Sequence, residues 1–483
     1  MRTRLSFIVL ALAVVTVLAW PAGASAQSPS LKLAGPGGTV KLPRYQGGLV
    51  PLDLSAWVAA TGGDFELRVA RPDYDSPIDI TQVDAVTGAV LRDLPEDVLN
   101  DWYGLSGFLQ VTVRNAQGVW AAGGLFGFCP NTWERQRVDD SGPDLPRYPT
   151  SCAAFSPFSK GMVWGVDSGW ATHAFGSEFE SPYIRLRREG TFTITIRITR
   201  KYIDLLEIPE ADAQLTFTAT VKNRRGGPFG EGKARGMVAR PAPAQRALTA
   251  APDIGAPDPD TMPDLVALPP WSMNTSTRRG RDYLEFASTP WNAGPAPLVV
   301  EGFRRPGEEV MDAYQYFRDA TGAVVGKSLV GDMMFHPHPA HNHWHFLQFA
   351  AFTLHDAQDL EVVRSRKQAF CLAPTDPIDI TVERAEWSPF DGIGTQCGAR
   401  SALWVREVLQ AGWGDTYFQS VPGQSWDITN LPNGWYYAQV EVNPLGTLFE
   451  VDMSNNVESR LIHLGGRPRA RTVIVTPWHG IEG

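Results

Sequence analysis

Five of the nine histidines in this chain fall within ten residues: His336, His338, His341, His343 and His345. In His341-Asn342-His343-Trp344-His345 the imidazoles recur at every second position. A strand would therefore present all three on one face and Asn342 and Trp344 on the other. Three imidazoles suit copper or zinc, and raw affinity favours copper. On a flat strand the outer two Cα atoms lie about 13 Å apart. One ion held by His341, His343 and His345 thus requires a twisted or bent strand, and twist is the ordinary condition of strands. Pro337 and Pro339 keep the preceding stretch extended, so His336 and His338 are expected to line the pocket and support the ligands rather than join them.

Two further segments carry chemistry. Read as a strand, "VVRSRKQAFCL" puts Val363, Ser365, Lys367, Ala369 and Cys371 on one face and Arg364, Arg366 and Gln368 on the other. Lys367 then lies on the less charged face, where burial disfavours the ammonium and frees a nucleophilic amine. In Gly414-Asp415-Thr416-Tyr417 an extended chain places the Asp415 carboxylate on the same side as the Tyr417 phenol, a position from which it can act as general base. Asp415 reads equally well as a turn or capping residue after Gly414.

"HPAHNHWHF" followed by "FAAFTLHD" resembles the copper segment of the lysyl oxidases, and "RKQAFCL" and "GDTY" follow in that family's order. "PDLV" at Pro263, "WDIT" at Trp426, "VNP" at Val442 and "NNV" at Asn455 look like the start, middle and end of the same domain, so the likeness covers roughly residues 263–465. With only two cysteines here, Cys371 and Cys397, the segment departs from the disulfide-rich animal members. The resemblance implies that Lys367 and Tyr417 fuse into lysyl tyrosylquinone beside a copper ion. It further implies an amine oxidase that uses O₂ to convert a primary amine, a peptidyl lysine or a small amine, to an aldehyde with release of ammonia and hydrogen peroxide. Two other readings of the histidines are a zinc hydrolase and a non-catalytic extracellular metal-binding module. The first is weakened because no HExxH or comparable motif sets a base beside the metal.

The elements expected to position these residues are strands. An all-β fold is predicted, with a β-sandwich-like domain over 28–222, a Pro/Gly/Ala/Arg-rich linker over 223–262, a β-rich catalytic domain over 263–465 and a C-terminal tail over 466–483. Stretches such as "GFLQVTVRNAQG" and "GTFTITIRITRKY" in the first half, and "GWYYAQVEV" in the second, alternate apolar and polar residues between turn signals. The chain opens with two arginines, an apolar run and Ala24-Ser25-Ala26, which reads as a secretory signal over residues 1–26 and predicts a secreted, extracellular protein with no membrane anchor after cleavage. Four cysteines in such a compartment predict two local disulfides, Cys129 with Cys152 and Cys371 with Cys397. Acidic residues outnumber basic ones, 52 to 43, which argues against nucleic acid as a partner and suits a cationic substrate.

Overall fold

The computed structural model describes residues 28–482 apart from 53, 100, 154–155, 177–181, 226–249, 339–340, 368 and 389–392, and apart from the side chains of His338 and His341. The signal-like segment and most of the linker lie outside the described residues. The fold is all-β, and the only α-helix among the described residues is Arg200–Leu205. No helix among them is long and apolar enough to cross a membrane.

Each sheet draws its strands from one half of the chain. In the first half the largest sheet joins Gly38–Arg44, Gln214–Asn223, Gly190–Ile198, Leu105–Asn115 and Trp120–Phe128 in that order. The alternation read in the sequence is the alternation of burial: Phe192, Ile194, Ile196 and Ile198 point inward while Thr191 and Thr193 face solvent.

The second half is built on a six-stranded sheet: β1 (Leu298–Arg304), β2 (Val310–Arg318), β3 (Val324–His338), β4 (His341–Leu347), β5 (Ala369–Phe370) and β6 (Trp404–Leu409). Their spatial order is β5-β4-β3-β2-β1-β6, all antiparallel. The long β3 is interrupted against β2 by register shifts, one of them where Ala313 faces Gly331 and Tyr314 faces Leu329. Such bulges increase local twist. A second, five-stranded sheet contains Glu361–Arg364, Ala350–His355, Gly434–Val442, Val457–Arg467 and Ala470–Val475.

Three expectations are modified. The strand read through Lys367 is broken: Glu361–Arg364 belongs to the five-stranded sheet and β5 to the six-stranded one, with Lys367 on the crossing between them. The cause is local hydrogen bonding. Ser365 donates its amide to the Phe352 carbonyl (2.8 Å), its hydroxyl bonds the Gly423 carbonyl, and Ser365 Oγ accepts the Lys367 amide (3.1 Å), turning the chain out of the first ladder. The last part of the linker is docked rather than solvated, since Ile254 donates to the Lys327 carbonyl and Lys327 donates to that of Pro252. The tail begins as a strand, because Ile462–Arg467 pairs with Ala470–Val475 and this completes the five-stranded sheet.

The two halves touch through chain and core. Lys160 and Gly161 donate to the Ile378 carbonyl and Ile380 donates to that of Gly161. Phe158, fully buried, sits with Leu268, Trp291 and Ile378, and Tyr148 stacks on Trp387 at 5.6 Å. Both predicted disulfides are present, with Cα atoms 6.0 and 5.9 Å apart.

Candidate metal and cofactor site

β3 and β4 form a hairpin whose register sets His336 opposite His343 and His338 opposite His341. The His343 and His345 rings lie 4.4 Å apart between centroids, as two positions on one strand face require, and His336 reaches over from β3 to within 5.8 Å of His345. The backbone of His341 and His338 continues this hairpin, while their side chains lie outside the described residues. On the opposite face Trp344 is fully buried and donates its indole N–H to the Ala399 carbonyl (3.0 Å), which fixes the strand from behind. His345 is buried and His343 half-buried. Burial holds the His343 imidazole below its ordinary pKa, helped by the positive charges of Lys367 and His336. The neutral imidazole so favoured is the form that ligates a metal. Imidazoles of this kind suit copper or zinc, while among the described residues no three His, Cys, Asp or Glu side chains are gathered as a metal-holding group.

β5 pairs with β4, Phe346 facing Phe370 and Leu347 facing Ala369, which sets the segment after Lys367 beside the histidine strand. Lys367 is 4% exposed, and its Nζ stands 4.5 Å from the centre of the Tyr417 ring and 4.8 Å from that of Phe370. The amine donates to the Ala369 carbonyl at 2.5 Å. Behind it Gly423, at φ +94°, approaches so closely that a Cβ would lie 3.1 Å from the Lys367 backbone. Tyr417 is pinned by reciprocal backbone bonds with Ser288 (2.9 and 3.0 Å), and its carbonyl accepts the Gln424 amide (3.0 Å). Its hydroxyl donates to Asp415 Oδ2 at 2.6 Å and lies 3.1 Å from the Cys371 carbonyl. Asp415, 2% exposed, is thus the partner of the phenol rather than a turn residue.

Burial governs the ionisation of this group. It lowers the Lys367 ammonium to about 8 against the favourable charges of Asp415 and Glu407. It raises Asp415 to about 8, opposed by the Tyr417 hydrogen bond and by Lys367. Tyr417 is pushed well above the ordinary phenol value, first by burial and then by Asp415.

One member of the cluster had escaped the sequence reading. Glu407, fully buried on β6, belongs to the same electrostatic group as Lys367, Asp415 and Tyr417. The signal for it was the pair Arg406-Glu407 inside the otherwise apolar run Trp404-Val405 and Val408-Leu409, where a charge is expensive unless partnered. Arg406 is answered on its own face by Glu301 at 2.7 Å, both residues buried.

Residues 327–473 match the family model described as lysyl oxidase. The chain carries a lysyl oxidase domain. Among curated relatives, lysyl oxidase homolog 2 of Gallus gallus is 30% identical over 121 residues, which are 25% of this chain and 14% of that protein. Lysyl oxidase homolog 2 of Homo sapiens is 29% identical over a stretch of the same length and coverage. The matched stretch is about a seventh of those relatives' length. The model span includes the histidine hairpin, Lys367, Glu407, Asp415 and Tyr417.

Proposed function

We propose that the protein is a secreted, copper-dependent amine oxidase that oxidatively deaminates primary amines, peptidyl lysine or small amines, with lysyl tyrosylquinone built from Lys367 and Tyr417. One observation carries the reading: a buried lysine amine and a tyrosine ring, fifty positions apart in sequence, lie 4.5 Å from each other beside a histidine hairpin. His341, His343 and His345 would hold the copper, with His336 and His338 beside them. Copper and O₂ supply oxidation of the Tyr417 ring, and the quinone joined to Lys367 supplies the electron sink for RCH₂NH₂ + O₂ + H₂O → RCHO + NH₃ + H₂O₂.

The chain's own residues do the rest. A lysine lowered to about 8 provides neutral amine for attack on the oxidised ring at mildly alkaline pH. Asp415 holds the Tyr417 hydroxyl and is the group placed to take its proton, and later to move the substrate's α-proton. Burial of Lys367, Asp415 and Tyr417 excludes water, so small charge movements act strongly. The hydrogen bonds on Tyr417 restrict its ring before any chemistry, which is the positioning that an intramolecular bond requires.

The test is peptide mapping of copper-loaded protein. The segments of Lys367 and Tyr417 should be recovered joined, with one oxygen gained and four hydrogens lost, and trypsin should fail after Lys367. Purified protein should absorb in the visible and stain for quinone, which a zinc hydrolase or a vestigial metal-binding module would not. Recovering both peptides separate and unmodified from protein that oxidises amines would overturn the cofactor assignment.

A further inference from the structure

The loop that follows Tyr417 turns back on the Lys367–Tyr417 pair. Val421 donates its amide to the Phe418 carbonyl at 2.9 Å and Gln424 donates its own to that of Val421 at 3.1 Å, so two successive turns carry the chain from the tyrosine to Gly423 and Gln424. Gly423 meets the lysine. A Cβ on it would stand 3.1 Å from Lys367 N, Cα and Cβ, and its φ of +94° favours glycine. The Gly423 carbonyl takes the Ser365 hydroxyl, whose oxygen in turn accepts the Lys367 amide. Gln424 meets the tyrosine. Its side-chain amide nitrogen donates to the Tyr417 carbonyl and to Ser288 Oγ, both at 3.0 Å. Two neighbouring residues of one turn thus grip the backbones of both partners.

Gln424 is fully buried, and its orientation is dictated by its partners. A carbonyl can only accept, so the amide nitrogen must face Tyr417 and the amide oxygen must take the other side. That oxygen, Oε1, is buried without a hydrogen-bond partner. An unpaired buried acceptor is destabilising, so stability alone would favour an apolar side chain of the same shape at this position. Nor does the Tyr417 carbonyl depend on Gln424 for a partner, since it also receives the Ser288 amide at 3.0 Å. What Gln424 adds is direction. It puts a second donor on the Tyr417 carbonyl and ties it through Ser288 Oγ to the end of the strand Arg281–Ala287, whose Phe286 amide donates to the Gln424 backbone carbonyl at 3.3 Å. The Tyr417 peptide is therefore held at two points, and with it the bond from which the ring reaches toward Lys367 Nζ, 4.5 Å from the ring centre.

We propose that Gln424 is a positioning residue for cofactor assembly: with Gly423 it forms a bracket that sets the Tyr417 ring at the Lys367 amine. This rests on the reading of Lys367 and Tyr417 as the cofactor pair. Gln424 acts through the Tyr417 backbone and Ser288, and contact with the substrate or the reacting atoms forms no part of the role.

The experiment compares the wild-type full chain with Gln424→Met and Ser288→Ala. Methionine keeps the length of the side chain, and it removes the two donated bonds together with the unpaired oxygen, so the fold is expected to survive. In copper-free protein carrying isotope-labelled lysine, the ε-methylene protons of Lys367, identified by their absence from Lys367→Arg, should resonate upfield of the other lysines because the Tyr417 ring current shields them. In Gln424→Met they should move back toward the other lysines. After copper loading, Gln424→Met should keep the wild-type copper ratio and melting temperature. It should form the Lys367–Tyr417 link roughly tenfold more slowly, a loss expected when a reacting group is no longer held in place. Ser288→Ala, which keeps the bond from Gln424 to Tyr417 and frees its other end, should shift the lysine signal less and slow the link less. An unchanged lysine signal and link rate in Gln424→Met would overturn the proposal. Loss of copper and melting temperature together in that variant, with Ser288→Ala linking at the wild-type rate, would show a scaffold residue only and overturn it as well. A wild-type protein that forms no link, while the lysine signal still moves in Gln424→Met, would overturn the cofactor reading and leave the bracket established.

Discussion

Lys367 and Tyr417 make opposite demands on their surroundings. In the proposed chemistry the lysine must shed a proton to be a nucleophile, and the tyrosine must keep its hydroxyl engaged until its ring is oxidised. The fold meets both demands by burying them together with Asp415, 2% exposed, in one cluster. Tyr417→Phe should leave copper binding intact and eliminate both quinone absorbance and the cross-linked peptide, because the ring loses the oxygen from which oxidation starts. His343→Ala should remove copper retention, read by elemental analysis, and with it peroxide release. The rate of link formation should rise as pH passes through about 8, where Lys367 becomes neutral amine and Asp415 becomes carboxylate. Those two values belong to the interacting pair rather than to either group alone. Stability follows the same logic. Asp415 binds its proton more tightly folded than unfolded, so between its ordinary value near 4 and about 8 the folded state loses stability as pH rises. The melting temperature of copper-free protein should fall across that window, and fall less in Asp415→Asn.

At the scale of elements, the site is made by segments that leave one ladder and enter another. Lys367 lies where the chain crosses from the five-stranded sheet to β5, and Tyr417 follows the short pair Trp413–Gly414. Lys367 lies outside the strands and Tyr417 is held by a single antiparallel bridge to Ser288, so side-chain anchors matter more than usual. The Cys371–Cys397 disulfide is one such anchor, joining the segment after Lys367 to the loop before β6. Opening it with a Cys371→Ser, Cys397→Ser double variant should cost about 3 kcal/mol by the chain-entropy estimate. The loss is measurable as a lower denaturant midpoint. Link formation should slow as well, because the Cys371 carbonyl beside the Tyr417 hydroxyl loses its tether.

At the scale of the molecule, the first half is part of the support of the site. Its strand Gly161–Val166 meets Ile378–Ile380, and the neighbouring Asp376–Pro377 pairs with Trp413–Gly414, one residue before Asp415. Phe158 from the first half fills an apolar cluster with Trp291 and Ile378, and its ring lies 6.2 Å from Trp271, itself 5.8 Å from Phe418. A chain cut at an engineered protease site within 226–249 should therefore remain one particle in size-exclusion chromatography. Phe158→Ala should destabilise the protein by about 3–5 kcal/mol, as large buried aromatics do when truncated, and should promote separation of the cut halves.

The sequence alone determined the chemistry's vocabulary and the kind of fold. Alternating histidines name a strand that carries its imidazoles on one face, because side-chain direction on a strand repeats every two residues. Period-two alternation from Thr191 to Ile198 likewise names a half-buried strand. Both are short-range properties, legible within ten residues. The order of the four cysteines favoured two local pairs, each closing a short loop, and the structure contains both. Tertiary structure decided what depends on distant segments meeting. The alternation through Ser365, Arg366 and Lys367 correctly predicted which side chains are buried, yet the continuous strand drawn through them is a crossing between sheets, because Ser365 bonds to Phe352 and Gly423. Composition marked the end of the linker as a solvated spacer, while backbone pairing with Lys327 orders it, and the stretch called a tail from 466 begins in a strand paired with Ile462–Arg467. Glu407 showed in the sequence only as a charge inside an apolar run, and its Leu372 partner comes to it only when the sheet closes.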